Sequence, residues 1–130
     1  MRCLNCKADN IADSEEFCPD CGTHLPSLLR DILPGGTTLK GGTYQINYPL
    51  GKGGFGITYH GTHILLEELV AIKEFYPSDF VFRQSISGKV TVPNNHKDIF
   101  DKWLKRFLRE GQILAKLRHN HIIQVRDLFT

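Results

Sequence analysis

Two groups of residues in this chain have the types and spacing to do chemistry. The first is Cys3-x-x-Cys6 and Cys18-x-x-Cys21, two pairs separated by eleven residues that together hold all four cysteines of the 130-residue sequence. They present four thiolates able to close around one tetrahedral ion. The second is Leu50-Gly51-Lys52-Gly53-Gly54-Phe55-Gly56-Ile57-Thr58-Tyr59, followed after a short turn by Val70-Ala71-Ile72-Lys73. Glycines at this density let backbone N–H groups approach phosphate oxygens, and a nearby lysine adds a cation for them.

A segment of about 25 residues cannot bury enough apolar surface to fold unaided. Zinc–thiolate coordination in modules of this size contributes on the order of 10–16 kcal/mol of apparent binding free energy at neutral pH. Structural Zn²⁺ held by Cys3, Cys6, Cys18 and Cys21 is therefore the expected source of stability, and it leaves no open position for catalysis. Gly22 suits the tight knuckle after Cys21, where a positive φ turns N–H groups toward sulfur. Iron, a pair of disulfides and a redox dithiol are alternatives for the same sulfurs. His24 is surplus to a completed tetrahedron and is expected to face solvent.

The glycine-rich stretch is read from its context. A dinucleotide-binding loop runs from a strand into a helix, yet Ile57-Thr58-Tyr59-His60-Gly61-Thr62 is β-branched and aromatic and favours a strand. A Walker A loop needs Gly-Lys-Ser/Thr after its last glycine, whereas Lys52 sits between the first two glycines. What remains is a glycine-rich turn between antiparallel strands, with Lys73 on a third.

These motifs must be positioned by an α+β architecture. The chain is 41% hydrophobic and 23% charged, which suits one soluble domain plus a small module. No run reaches the ~18 apolar residues of a membrane span, and Met1-Arg2-Cys3 leads into the cysteine motif rather than a signal peptide, so a cytoplasmic location is expected. The formal charge of +2 divides into −3 over residues 1–25 and +5 over the rest, neither an extreme that demands nucleic acid.

The expected organisation is a zinc ribbon over 1–25, a linker over 26–42 and an α+β unit over 43–130. The linker holds Pro26, Pro34, Gly35-Gly36 and Gly41-Gly42 around a short apolar piece, Leu28 to Leu33, long enough for one helical turn. Strands are expected at Tyr44–Tyr48, Ile57–His63 and Leu69–Phe75 as an antiparallel meander. Val81–Gln84 and Lys89–Val92 flank Ser85-Ile86-Ser87-Gly88 as a small accessory hairpin. A helix capped by Asn94 or Asn95 is expected from Lys97 to Leu117, with Gly111 inside it at a cost of about 1 kcal/mol. At ~100° per residue, Phe100, Trp103, Phe107, Glu110, Leu114 and Leu117 share one stripe. Glu110 then lies on an apolar face and needs a cation, for which Lys73 is the candidate.

The three motifs in this order, Gly51 to Gly56, Val70-Ala71-Ile72-Lys73 and Arg106-Phe107-Leu108-Arg109-Glu110, followed by Leu117-Arg118-His119-Asn120-His121-Ile122-Ile123, resemble the N-terminal lobe of bacterial serine/threonine protein kinases of eukaryotic type. The resemblance runs from about residue 43 to the end. It implies that the backbone of Gly51 to Gly56, with Lys52 and Phe55, covers the phosphates of ATP, that Lys73 holds the α- and β-phosphates and that Glu110 orients Lys73. Leu50 and Ala71 would bound the adenine, and Thr58 stands where the family usually has valine.

The family's H-R-D-L-x-x-x-N catalytic loop and D-F-G motif, which with Mg²⁺ carry out transfer to a protein substrate, belong to a second lobe. Val125-Arg126-Asp127-Leu128 lacks the histidine and Asp79-Phe80-Val81 lacks the glycine, so no catalytic residue is assigned in this chain, which would end in or just after a fourth strand. Lys73 and Glu110 are a supporting ion pair, and protein substrate enters only where a second lobe is present. The alternative is a non-catalytic module whose ribbon binds a protein or nucleic acid, with the basic helix (Lys102, Lys105, Arg106, Arg109, Lys116, Arg118) as its footing.

Overall fold

The computed structural model describes residues 1–84, 87–121 and 123–130. It divides into two compact units, residues 1–91 and 92–130. The first unit begins with the cysteine-rich turns, whose small core is Cys3, Ile11, Cys18 and Leu25 with Met1, Ala8 and Leu28 against it. Helix α1 then spans Leu25–Leu29, with Pro26 in its first turn. The single turn therefore starts three residues earlier than the apolar piece at 28–33 suggested, because proline's fixed φ suits a helix start and lacks only an N–H that would be unpaired there anyway.

Four strands follow: β1 (Thr38–Leu39), β2 (Tyr44–Lys52), β3 (Gly56–His63) and β4 (Glu68–Phe75), antiparallel in the order β1-β2-β3-β4. The meander matches the expectation from alternation. The strand β1 is additional, as two residues carry no periodicity and are defined only by their partner. β2 also runs four residues past Tyr48, through irregularities between Ile46 and Tyr48 and between Pro49 and Gly51. Pro49 is tolerated because β1 pairs only with Tyr44 and Gln45, leaving β2 an edge at that point.

One face of the sheet is buried, with Ile46, Ile57 and Tyr59 all fully so. Residues 31–36 cover it from one side: Leu33 is buried and its N–H donates to the Tyr59 hydroxyl (3.2 Å). Next to them lie Tyr76 and Pro77, both fully buried, and a hairpin of β5 (Phe82–Arg83) and β6 (Val90–Thr91). That hairpin is the accessory one expected, although Ser85 and Ile86 of its turn lie outside the described residues.

Charged groups on this covered face are paired. Lys52 donates to Asp31 (3.1 Å) at a site where both side chains are nearly buried. Arg83 donates to the Asp31 carbonyl, the Gly88 carbonyl and the Glu74 carboxylate (2.9, 2.9 and 2.7 Å), and lies over the Tyr76 ring. Tyr59 donates to the same Glu74 oxygen (2.9 Å). Residues 26–42 thus carry buried contacts of their own.

The second unit contains a 3₁₀ turn at Asn94–His96 and helix α2 at Lys97–Lys116. Neither Asn94 nor Asn95 is the N-cap: both lie inside the 3₁₀ turn, and His96 takes the cap position without a side-chain hydrogen bond. Residues 117–130 hold no strand among the described ones, contrary to the fourth strand expected near the end, and Ile122 of the His119–Ile123 motif is not described. Instead this segment folds back along α2. Leu128 sits over Gly111, where a Cβ would be 3.1 Å from it, and Gln124 donates to the Ala115 carbonyl (3.5 Å). Gly111 therefore leaves room for the Leu128 side chain, which stays partly exposed.

Candidate metal and nucleotide sites

The two halves of the cysteine cluster repeat one backbone motif. Lys7 N–H donates to the Cys3 carbonyl and Cys3 N–H to Ala8, just as Gly22 N–H donates to Cys18 and Cys18 N–H to Thr23, each at 2.9 Å. The matched residues Lys7 and Gly22 both have positive φ, 68° and 75°. These knuckles bring the four sulfurs within 4.8 Å of one another, with Cys3–Cys21 at 3.8 Å and Cys6–Cys18 at 3.6 Å. Sulfurs bound tetrahedrally at ~2.3 Å from zinc stand about 3.8 Å apart, so the donor set fits Zn²⁺. All four thiols are free, and these separations are far longer than the ~2 Å of a disulfide.

The electrostatics agree. The Thr23 hydroxyl and the Asn5 amide, 3.2 and 3.5 Å from its sulfur, pull the Cys21 thiol down to about 5. Cys6 moves oppositely: the Ala8 backbone lowers it, but desolvation and the sulfurs of Cys18, Cys21 and Cys3 outweigh that and push it up to about 12. One thiolate is favoured and a second beside it is resisted, a conflict that a bound cation removes. His24 stays outside the sulfur cluster as expected: its side chain is 38% exposed, 2.6 Å from the Ser27 hydroxyl and with its ring against Phe17.

Beside the sheet's buried face, the glycine-rich turn joins β2 to β3. Gly53 N–H donates to Gly56 (2.9 Å), while the Gly54 and Phe55 carbonyls accept from Ser78 and Tyr76 (3.2 and 3.0 Å), so the tip is fastened to the chain leaving β4. Pairing across the sheet aligns Gly51, Thr58 and Lys73 in one row and Tyr48, His60 and Ala71 in another. Directly paired residues share a face, so Thr58, Lys73 and Ala71 stand on the side opposite Ile57 and Tyr59. Lys73, Ala71 and Leu50 are exposed there. Lys73 reaches the turn: its Cε is 3.6 Å from where a Gly56 Cβ would lie.

The glycines divide by reason. A side chain at Gly56 would strike the Glu74 carbonyl (2.9 Å), and one at Gly51 would crowd the Lys7 ammonium (3.1 Å). Gly53 and Gly54 lack the positive φ that demands glycine; a Cβ at Gly53 would meet only the Gly56 carbonyl at an ordinary 4.0 Å, and one at Gly54 would meet open space.

Glu110 is on α2 in the second unit. The half-buried positions there are Phe100, Trp103, Leu104, Phe107, Leu108, Gly111 and Ala115, so the sheltered stripe is rotated from the expected one. Glu110, Leu114 and Leu117 are exposed, and Glu110 pairs loosely with Arg106 one turn earlier (4.0 Å). The expected apolar setting for Glu110 is thus corrected: its carboxylate reaches water because Gly111, a position further on, is what the returning chain covers.

Sequence reasoning passed over Lys7, Asp31 and Arg83. For Lys7 a signal did exist, since it follows Cys6 where Gly22 follows Cys21.

Taken together, the antiparallel sheet and C-terminal helix are similar to a protein-kinase N-lobe fragment, preceded by a four-cysteine cluster of zinc-ribbon type. Among solved structures, the apo form of PpkA-294, a bacterial serine/threonine kinase fragment, aligns with a TM-score of 0.65 and 28% identity over 69% of this chain and 31% of that one. A probable myosin light chain kinase of Dictyostelium discoideum is 31% identical over 86 residues, 66% of this chain and 17% of that protein. The chain thus spans less than a third of either relative. No family model matches it. No helix among the described residues is long and apolar enough to cross a membrane.

Proposed function

We propose that this chain forms the ATP-binding N-terminal part of a serine/threonine protein kinase, braced by a structural zinc ribbon. The turn of Gly51, Lys52, Gly53, Gly54, Phe55 and Gly56 covers the phosphates, Lys73 holds the α- and β-phosphates, and Leu50, Thr58 and Ala71 border the adenine. Gly53 and Gly54 carry this reading: nothing inside the protein requires glycine at either position, so their bareness suits a group approaching from outside. Lys73 beside that turn supplies the matching cation.

Transfer of phosphate to protein needs Mg²⁺ ligands and a catalytic base that residues 1–130 do not contain. The chain by itself is therefore expected to bind ATP weakly and to transfer nothing, since a nucleotide pocket normally encloses some 70–90% of its ligand. Calorimetry with ATP–Mg²⁺ on the chain and on Lys73→Met and Gly54→Val tests this. Both substitutions should weaken binding while the protein stays folded. Affinity that neither substitution alters sinks the reading, and transfer abolished by Lys73→Met would overturn the claim of inactivity.

A further inference from the structure

We infer that Lys7 is a positioning residue for the glycine-rich strand, through which the metal-closed first knuckle holds that strand in place. The nucleotide consequence rests on the function proposed above; the brace itself does not.

The Lys7 ammonium donates to two carbonyls at once, Leu4 within its own knuckle (3.0 Å) and Leu50 on β2 (2.8 Å), joining segments 43 residues apart. It bonds β2 where that strand is an edge. Upstream, residues 36–39 satisfy the edge by pairing with Tyr44, Gln45 and Ile46. Beyond that point the Leu50 carbonyl receives an ammonium instead of a strand. The neighbouring Gly51 admits the contact, because a Cβ there would lie 3.1 Å from the ammonium. Gly51 is thus the counterpart of Lys7 rather than part of the bare tip formed by Gly53 and Gly54.

The knuckle itself gives an independent observation. Lys7 occupies a positive-φ position that its twin fills with Gly22, and an L-residue is costlier there than glycine. A lysine in the strained position is accounted for by what its side chain reaches. The turn that aims it is defined by the Cys3 and Ala8 hydrogen bonds, a geometry that four-sulfur coordination fixes and that a metal-free segment of this size has little core to keep. Zinc occupancy is thereby linked to the order of residues 50–58, two of whose backbone carbonyls, on Gly54 and Phe55, are already fastened from the other side.

The test is residue-resolved amide hydrogen exchange on the full 130-residue chain, zinc-loaded and after chelation, for the parent protein, Lys7→Gly and Lys7→Arg. Lys7→Gly relieves backbone strain in the knuckle, so zinc stoichiometry by elemental analysis should stay at one. Exchange at residues 50–58 should nonetheless rise about three- to ten-fold, the weight of one charge-assisted hydrogen bond at an exposed site. Lys7→Arg should keep much of the protection. Chelation should raise exchange at 50–58 in the parent and add little more in Lys7→Gly. Equal protection of 50–58 in zinc-loaded parent and Lys7→Gly overturns the inference. Titration with a fluorescent ATP analogue separates the two claims: if exchange responds as stated but no variant binds nucleotide, the brace stands and the nucleotide reading falls.

Discussion

The two units of this chain are stabilised in different ways. Among the described residues, 1–91 contain all the largest fully buried side chains, Tyr59, Tyr76, Leu25, Ile46, Ile57, Pro77 and Cys3, whereas α2 in residues 92–130 buries none. The first unit combines a knot of four converging cysteines with a sheet face sealed by paired charges. The second relies on helix propensity and on a short segment folded back over Gly111. Damage to metal or packing should therefore be felt almost wholly in the first, and damage to local helix chemistry in the second.

The largest effect should come from the metal. Cys18→Ser, or chelation of the parent chain, is expected to remove one Zn²⁺ and, with it, on the order of 10 kcal/mol of apparent binding free energy. NMR signals of residues 1–25 should collapse toward random-coil positions while those of α2 stay put. Dispersed signals for 1–25 after chelation would break the comparison at its strongest point.

Next are two substitutions in the sheet. Gly61→Ala places a methyl 2.5 Å from Ile72 Cδ1 and 2.9 Å from the Gln45 carbonyl, and should cost about 1–3 kcal/mol in chemical denaturation. Asp31→Asn should cost a similar ~1–3 kcal/mol, since it leaves the nearly buried Lys52 without its carboxylate. Its pH dependence has a definite sign. Burial raises the Asp31 carboxyl, but the hydrogen bond from Lys52, the nearby Tyr76 hydroxyl and the charges of Lys52 and Arg30 outweigh it and hold the group below its ordinary value. A depressed carboxyl contributes stability above about pH 4, and this is lost as pH falls through the lower folded value. The difference between the parent and Asp31→Asn should shrink as acid is added below pH 4. On the alkaline side, burial and the nearby Asp31 push the Tyr76 hydroxyl up to about 12. It is buried, and among the described residues it has no well-formed hydrogen bond. Stability should accordingly fall as pH rises from about 10 toward that value.

Smaller effects belong to the second unit. Gly111→Ala meets only the Leu128 side chain, at 3.1 Å, so the helix propensity of alanine, worth about 1 kcal/mol, should outweigh a small repacking and raise α2 stability. The same substitution thus has opposite signs at Gly61 and Gly111. Glu110→Gln should change stability by less than about 0.5 kcal/mol, the value of an exposed pair one turn apart. A loss of several kcal/mol at Glu110 would mean that its carboxylate is buried after all.

The legible parts of this molecule are those with a period or a spacing. Alternation placed β2 to β4 and the accessory hairpin, and the cysteine spacing located a cluster whose sulfurs do converge. The glycine-rich turn and Lys73 were legible for the same reason, and the pairing of Thr58 with Lys73 places them on one sheet. Contacts between residues far apart in sequence left no such trace. Asp31 in a presumed linker gives no hint that Lys52 will neutralise it, and two residues of β1 become a strand only because Tyr44 and Gln45 are opposite. The helix stripe was misjudged through Gly111: a glycine reads as a gap in an apolar face, yet here it is the place the returning chain occupies, which turns Glu110 toward water.

Arg83 has a consequence for the order in which the chain folds. Its hydrogen bond to the Asp31 carbonyl joins residues 52 apart, while the knuckles close through contacts no more than 18 residues apart. Closing a longer loop costs more entropy before any contact repays it, and non-local pairing slows folding. The metal knot should form first, the meander next and the guanidinium last. During synthesis, Tyr59 and Glu74 would already have left the ribosome for several residues before Arg83 could bind Glu74, and for that interval the Glu74 carboxylate lacks its cation. Arg83→Met should therefore speed unfolding in stopped-flow fluorescence while leaving the refolding rate and the rate of zinc uptake nearly unchanged.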